Sequence, residues 1–215
     1  MIRPSAVTAR TWTYSVALAV LGLAVLIPAY IAARQGEAAD ARRLIEALAL
    51  EPGVTVAEVG AGDGDLTLAV ATHLGANGRV FTTELGAERV EALRKGVAKA
   101  PAGNVEVLEG HDSRTNLPAT CCDAIFMRAV YHHFGQPQTM NASLLEALKP
   151  GGRLAVIDFE PSGEASEDPS QRAAGGAHGV RPEDVTRELA GAGFDVLRTE
   201  RLDGRRFLIL ARKPA

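Results

Sequence analysis

The 215-residue chain is poor in cysteine and tryptophan, with two and one respectively, its aromatic content is 5%, and its charges nearly cancel to a net −3. Each scarcity excludes something. The cysteines are adjacent, Cys121 and Cys122, so they supply neither a disulfide framework nor a spaced pair of metal ligands, and the usual bridge between them would be strained. Beside the apolar run Ala124-Ile125-Phe126-Met127 they are expected to be free and to pack as small hydrophobes. His73, His111, His132, His133 and His178 show no His-x-x-x-His spacing and no Cys-x-x-Cys motif accompanies them, so no metal site is expected. There is no run of five Lys or Arg residues and no interleaving of aromatics with basic residues. A phosphate-tracking stripe and a base-stacking platform are therefore missing, and no nucleic-acid partner is expected. Internal repeats are absent as well.

What is present is a well-ordered α/β pattern. A hydrophobic content of 47% with 23% charged residues suits one folded body with a sizeable core. The stretch Val54-Thr55-Val56-Ala57-Glu58-Val59 reads as a strand, Gly60-Ala61-Gly62-Asp63-Gly64 as a tight loop, and Asp65 to Leu74 as a helix. Glycines there permit positive φ and close backbone approach, and the free N–H groups of a helix start favour a polar or anionic group. The loop thus reads as a nucleotide-type cofactor site. A second strand, Arg79 to Glu84, ends in a carboxylate, where a doubly wound sheet holds a ribose diol. A dinucleotide fingerprint would place its third glycine at position 65, which is Asp65, and this argues against a nicotinamide cofactor.

Further along, Val105 to Leu108 reads as a third strand, followed by Gly110-His111-Asp112, and the run Asp123 to Met127 leads into Arg128-Ala129-Val130-Tyr131-His132-His133-Phe134. Leu148-Lys149-Pro150-Gly151-Gly152 marks a helix end, with Pro blocking continuation and two glycines turning the chain into a fifth strand. Helices are expected over Glu37 to Leu50, Asp65 to Leu74, Ala87 to Ala100, Gln138 to Leu148 and Pro182 to Ala192. Asp195 to Thr199 and Arg206 to Leu210 read as a hairpin about Asp203-Gly204. Before the last of these helices, Glu160 to His178 is polar, without apolar period, and leaves the carboxyl end of strand five. A loop of that length at the ligand-binding rim is expected to act as a mobile lid over an acceptor.

With these motifs in place, the chain resembles the class I S-adenosylmethionine-dependent methyltransferases of the small-molecule, methyltransferase-11-like type, over about residues 38 to 213. The carrying pieces are the Glu-x-Gly-x-Gly-x-Gly run from Glu58 to Gly64, the segment Asp123 to Phe134, and Leu148 to Gly152. The resemblance implies a Rossmann-like, doubly wound, mostly parallel sheet with a C-terminal antiparallel hairpin, S-adenosylmethionine as cofactor, and a small-molecule acceptor. It further implies that Glu58, Gly60, Ala61 and Gly62 face the methionine moiety, with Asp65 near its amino group. Glu84 would take the ribose hydroxyls, Leu85 would pack on adenine, His111 and Asp112 would approach the adenine amine, and Arg128 and Ala129 would close over the methionyl end. Tyr131, His132 and His133 are the candidates for proton removal from the acceptor, a histidine being the side chain that titrates near neutrality; Asp158 and His178 are candidates for the acceptor pocket. Arsenite-type acceptors would need spaced cysteines and are not expected. The alternative is a non-catalytic, exported ligand-binding protein on the same fold.

The amino terminus stands apart from this domain. Val16 to Ala33 is almost wholly apolar, preceded by Arg3 and Arg10 and followed by Arg34, which fits a hydrophobic helix over about residues 14–33 acting as a membrane anchor or a secretory signal. Residues 1–36 are thus expected to form an N-terminal segment and 37–215 the methyltransferase domain. An anchor places the protein at a membrane, with the domain in the cytoplasm where the cofactor is made; a cleaved signal places it outside.

Overall fold

The computed structural model describes residues 35–100, 103–173 and 178–215. The expected hydrophobic helix over 14–33 lies outside them, and among the described residues no helix is long and apolar enough to cross a membrane. The chain divides into two units, Met1–Asp40 and Ala41–Ala215, and the second carries the fold.

Residues 35–48 are helical (α1). They are followed by β1 (Thr55–Val59), α2 (Asp65–Leu74), β2 (Arg79–Glu84), α3 (Ala87–Ala98), β3 (Val105–Glu109), β4 (Cys122–Arg128), α4 (Pro137–Ala147), β5 (Leu148–Phe159), α5 (Pro182–Gly191), β6 (Asp195–Arg201) and β7 (Arg206–Arg212). Single 3₁₀ turns occupy Tyr131–His133 and Pro169–Gln171. The seven strands form one sheet in the order β3-β2-β1-β4-β5-β7-β6. β1 runs parallel to β2 and β4, β2 to β3, and β4 to β5, while β7 is antiparallel to both β5 and β6. This is the expected doubly wound sheet with its terminal hairpin.

The near-continuous apolar strands follow from burial on both faces. Val56, Phe126 and Ala155 join Leu44 of α1 and Leu66, Val70 and Leu74 of α2 in one buried cluster. Their neighbours Ala57, Ile125 and Val156 join Met140 and Leu144 of α4 and Val185 and Leu189 of α5 in the other. Alternate side chains of each strand thus feed opposite layers.

Two expectations are corrected. Cys121 and Cys122 are joined to each other by a disulfide, their Cα atoms 3.7 Å apart, and are not free thiols. The bond sits where β4 enters the sheet and its register with β5 shifts between Cys122 and Ala124, an irregular backbone in place of the regular strand that would turn neighbouring side chains to opposite faces. In addition, Lys149 to Gly152 does not precede strand five but lies within it. Cys122 pairs with Leu148 and Ala124 with Arg153, so the Pro-Gly-Gly stretch is an excursion of the strand itself, held by Gly151 N–H to Lys213 O at 3.0 Å and Lys213 N–H to Gly152 O at 2.9 Å.

The long segment after β5 is tied down at its described part. The Arg172 guanidinium, 1% exposed, pairs with Glu188 of α5 through Nη2–Oε1 at 2.6 Å and Nη1–Oε2 at 3.1 Å. Gly179 N–H donates to Arg172 O at 3.0 Å and Val180 N–H to Phe159 O at 2.9 Å. The segment thus carries a buried anchor that composition alone does not reveal.

Candidate active site

The sheet order reverses between β1 and β4, which opens the crevice at the carboxyl ends of those strands where ligands of open α/β folds bind. The glycine loop leaves β1 at this point. Gly60 and Ala61 both donate N–H bonds to Thr83 O at 3.0 Å, folding the loop onto β2. Gly60 has φ +73°, and a Cβ there would stand 2.5 Å from Val130 Cγ2. Its bareness therefore lets the segments after β1 and β4 meet. Gly62 has φ +55°, but a Cβ on it would meet nothing within 4 Å; there the backbone faces the open rim.

Glu84, at the end of β2 and 7% exposed, joins this loop. Its Oε2 accepts the Gly62 N–H at 2.8 Å and its Oε1 the Leu85 N–H at 2.8 Å, while Arg89 Nε of α3 lies 3.7 Å from the carboxylate. Leu85 is exposed. A Cβ on Gly110 would lie 3.6 Å from both Leu85 Cδ2 and Glu84 O, so the loop after β3 adjoins the β2 end. On that loop His111 Nδ1 and Asp112 Oδ1 are 2.5 Å apart and both side chains are exposed.

Beneath the loop, Glu58 is buried on β1 and accepts a hydrogen bond from the Thr67 hydroxyl of α2, which also contacts the Thr82 hydroxyl of β2 at 3.0 Å. Burial pushes the Glu58 carboxyl up to about 8, against the opposing influence of the Thr67 hydrogen bond and the Arg128 charge. Asp65 opens α2, where an acidic residue complements the helix dipole. Arg128 closes β4. Ala129 follows with φ +55°, an orientation costly for a residue with a Cβ, and is held by its N–H bond to Ile157 O at 2.8 Å.

The 3₁₀ turn after β4 carries Tyr131, His132 and His133, and the structure separates them. Tyr131 is fully buried in the core cluster shared with α4 and α5. Its hydroxyl donates to Glu188 Oε2 at 3.1 Å and accepts from Asn141 Nδ2 at 2.7 Å, and burial with the Glu188 charge raises its pKa far above the ordinary value. A buried phenol so engaged is a packing residue, which corrects its expected place among the proton acceptors.

His132 is buried against Asp158 of β5. Asp158 Oδ1 lies 2.8 Å from His132 Nδ1 and accepts the Phe159 N–H at 2.8 Å, and Oδ2 accepts the His132 N–H at 3.2 Å. A carboxylate accepts, so the contact with Asp158 favours the tautomer of His132 with its proton on Nδ1, which leaves Nε2 facing His178. His132 Nε2 lies 3.0 Å from His178 Nε2. The His133 ring centroid is 4.0 Å from that of His132, and desolvation, then the neighbouring His132 and His178, lowers the His133 pKa. One ligand atom from each of the three histidines lies within 4.8 Å of the others. The fold thus gathers three histidines whose sequence spacing gave no sign of a cluster. His132 and His178 are 46 positions apart in sequence, so no local spacing could reveal it.

Residues 56–152 match a family model described as a methyltransferase domain. Over 123 residues the chain is 28% identical to the ubiquinone/menaquinone biosynthesis C-methyltransferase UbiE of Ectopseudomonas mendocina, covering 57% of this chain and 48% of that protein. It is 26% identical to the arsenite methyltransferase of Halobacterium salinarum over 153 residues, covering 69% of this chain and 39% of that one. The chain thus spans about half or less of the length of these curated relatives. A crystal structure of an S-adenosylmethionine-dependent methyltransferase from Aquifex aeolicus superposes with a TM-score of 0.69 at 27% identity, covering 81% of this chain and 89% of that chain. The fold, the glycine loop and the family match over residues 56–152 are all similar to those of S-adenosylmethionine-dependent methyltransferases.

Proposed function

We propose that the chain transfers the methyl group of S-adenosylmethionine to a small, lipophilic acceptor. The observation that carries this reading is the Glu84 carboxylate bonded to the Gly62 N–H at the switch point, which sets a diol-binding acid against a backbone loop open to the rim. The residues present fit the cofactor: two carboxylate oxygens at the β2 end suit a ribose diol, and exposed Leu85 offers an apolar face for a base. When bound, the cofactor supplies an electrophilic methyl group on a positively charged sulfur.

The protein's part is to hold the acceptor in line at near-contact distance and to exclude water. His132, oriented by the Asp158 contact at Nδ1, is the residue we assign to take the proton through Nε2 where the acceptor is an oxygen or nitrogen acid. His133 and His178 line the same rim. The name of the UbiE relative, which refers to ubiquinone and menaquinone biosynthesis, supports a lipophilic acceptor, and we place the domain on the cytoplasmic side of a membrane held by the apolar N-terminal stretch. Calorimetric titration of the full chain with S-adenosylmethionine, S-adenosylhomocysteine and NAD tests the reading. Micromolar binding of both sulfur ligands, absence of NAD binding and loss in Glu84→Ala are expected; a folded chain that binds neither sulfur ligand overturns it.

A further inference from the structure

We propose that His132, His133 and His178 form a binding site for a zinc-class divalent cation, with an open position for the oxygen of an acceptor. The geometry supports it first. One imidazole nitrogen from each residue falls within 4.8 Å of the others, and the closest pair, His132 Nε2 and His178 Nε2, is 3.0 Å apart. A tetrahedral zinc with Zn–N bonds of about 2.0–2.1 Å places its ligand nitrogens roughly 3.3 Å from one another, so the closest pair is nearly at that spacing. His133 and His178 are exposed and His132 is buried. The site therefore has one buried ligand and two exposed ones, and closing to tetrahedral spacing needs a shift of at most about 1.5 Å.

The surroundings of His132 have the second property such a site needs. A metal-bound histidine almost always gives its other ring N–H to a carboxylate or carbonyl, which fixes tautomer and ring orientation. Asp158 is that carboxylate here, 2.8 Å from His132 Nδ1, and it is itself fixed by the backbone N–H groups of His132 and Phe159. A hydrogen bond between two imidazoles accounts for His132 with His178, and His133, next in the same turn, adds a third ring 4.0 Å from that of His132. Three neutral nitrogen ligands without a carboxylate or thiolate suit zinc, cobalt or iron(II) better than magnesium or calcium, which prefer oxygen. Three protein ligands also leave a tetrahedral ion one position for water or substrate.

The role of the site rests on the methyltransferase reading; its existence does not. An acceptor hydroxyl coordinated there would lose its proton to solvent water, as a cation stabilises the oxyanion. Its oxygen lone pair would then form the bond to the methyl carbon while the carbon–sulfur bond breaks and leaves its pair on sulfur.

The test uses the full chain freed of metal by chelator and titrated with CoCl2, followed by visible absorption, with S-adenosylmethionine calorimetry on the same samples. One equivalent of cobalt with tetrahedral d–d bands is expected. His133→Ala and His178→Ala, both at exposed positions, should each abolish the bands, whereas His73→Gln should retain them. Asp158→Asn should weaken cobalt binding by about 10–100-fold, as loss of such supporting partners does. No stoichiometric band, or a band that persists in both His133→Ala and His178→Ala, overturns the site. Cobalt bands without S-adenosylmethionine binding would uphold the site and overturn the methyltransferase reading; the converse would overturn the site and leave His132 as the proton acceptor.

Discussion

Glu84 reaches back from the end of β2 to accept the N–H of Gly62 at 2.8 Å, so the residue read as a ribose ligand also fastens the glycine loop. Loop shape and diol recognition are coupled through one carboxylate, whose other oxygen takes the Leu85 N–H. Removing it affects both. Hydrogen bonds to a charged group are worth about 1.5–3 kcal/mol, so Glu84→Ala should lower S-adenosylmethionine affinity by at least tenfold and also reduce stability. Glu84→Gln keeps one acceptor oxygen and should retain more of the stability than of the affinity. Calorimetry paired with urea melts on both variants separates the two effects; equal losses in the two variants would contradict the coupling.

Glu58 gives the unliganded domain a definite pH dependence. Its folded carboxyl is pushed up to about 8 from an ordinary 4.5 by burial, so between those values the folded chain holds a proton that the unfolded chain has released. Stability from this group is fully present below the unfolded pKa and is lost as pH rises through the folded one. Urea melts at pH 5.5 and pH 7.5 should show wild type losing stability over the interval, with a shallower loss in Glu58→Gln, whose amide does not titrate. Identical slopes would mean that Glu58 ionises in the fold as readily as outside it.

Tyr131 and Arg172 share Glu188, and the pair distinguishes packing from catalysis. Arg172→Ala strands a nearly buried carboxylate, for which about 3–5 kcal/mol of destabilisation is expected. Tyr131→Phe removes a hydroxyl bonded to Glu188 and Asn141 and should cost about 1–3 kcal/mol. Turnover of whatever fraction remains folded should not change in Tyr131→Phe. Urea midpoints and kcat per folded molecule are the readouts, and a large fall in kcat without loss of stability would restore Tyr131 to the reaction.

The elements that sequence made legible were those whose pattern is local. Asp65–Leu74 and Arg79–Glu84 begin and end where periodicity and turn residues place them, and the hairpin forms about Asp203-Gly204 as the turn chemistry requires. The rest depends on contacts between distant segments. The Lys149–Gly152 excursion is set by pairing with β4, the Arg172 anchor needs a partner on α5, and the histidine cluster forms only when the segment before α5 returns to the end of β4. In the same way, Tyr131 and His132 are neighbours with identical sequence context, yet the turn sends one hydroxyl to Glu188 and the other ring to Asp158.

Gly60 offers a test of the switch point itself, because two separate costs meet there. An alanine at φ +73° pays the left-handed penalty of roughly 1–2 kcal/mol, and its Cβ would also press on Val130 Cγ2 at 2.5 Å. The first cost is intrinsic to the backbone, whereas the second disappears if the valine is trimmed. Gly60→Ala should therefore be destabilised by more than the backbone term, and Val130→Ala should recover the steric part but not the whole. The coupling in the double-mutant cycle is expected to be favourable and within the range of about 0.5–3 kcal/mol seen for residues in contact. Additive single effects would show that the loop after β1 yields by moving away from β4, and S-adenosylmethionine affinity, which needs the loop in place, should then fall in Gly60→Ala without recovering in the double variant.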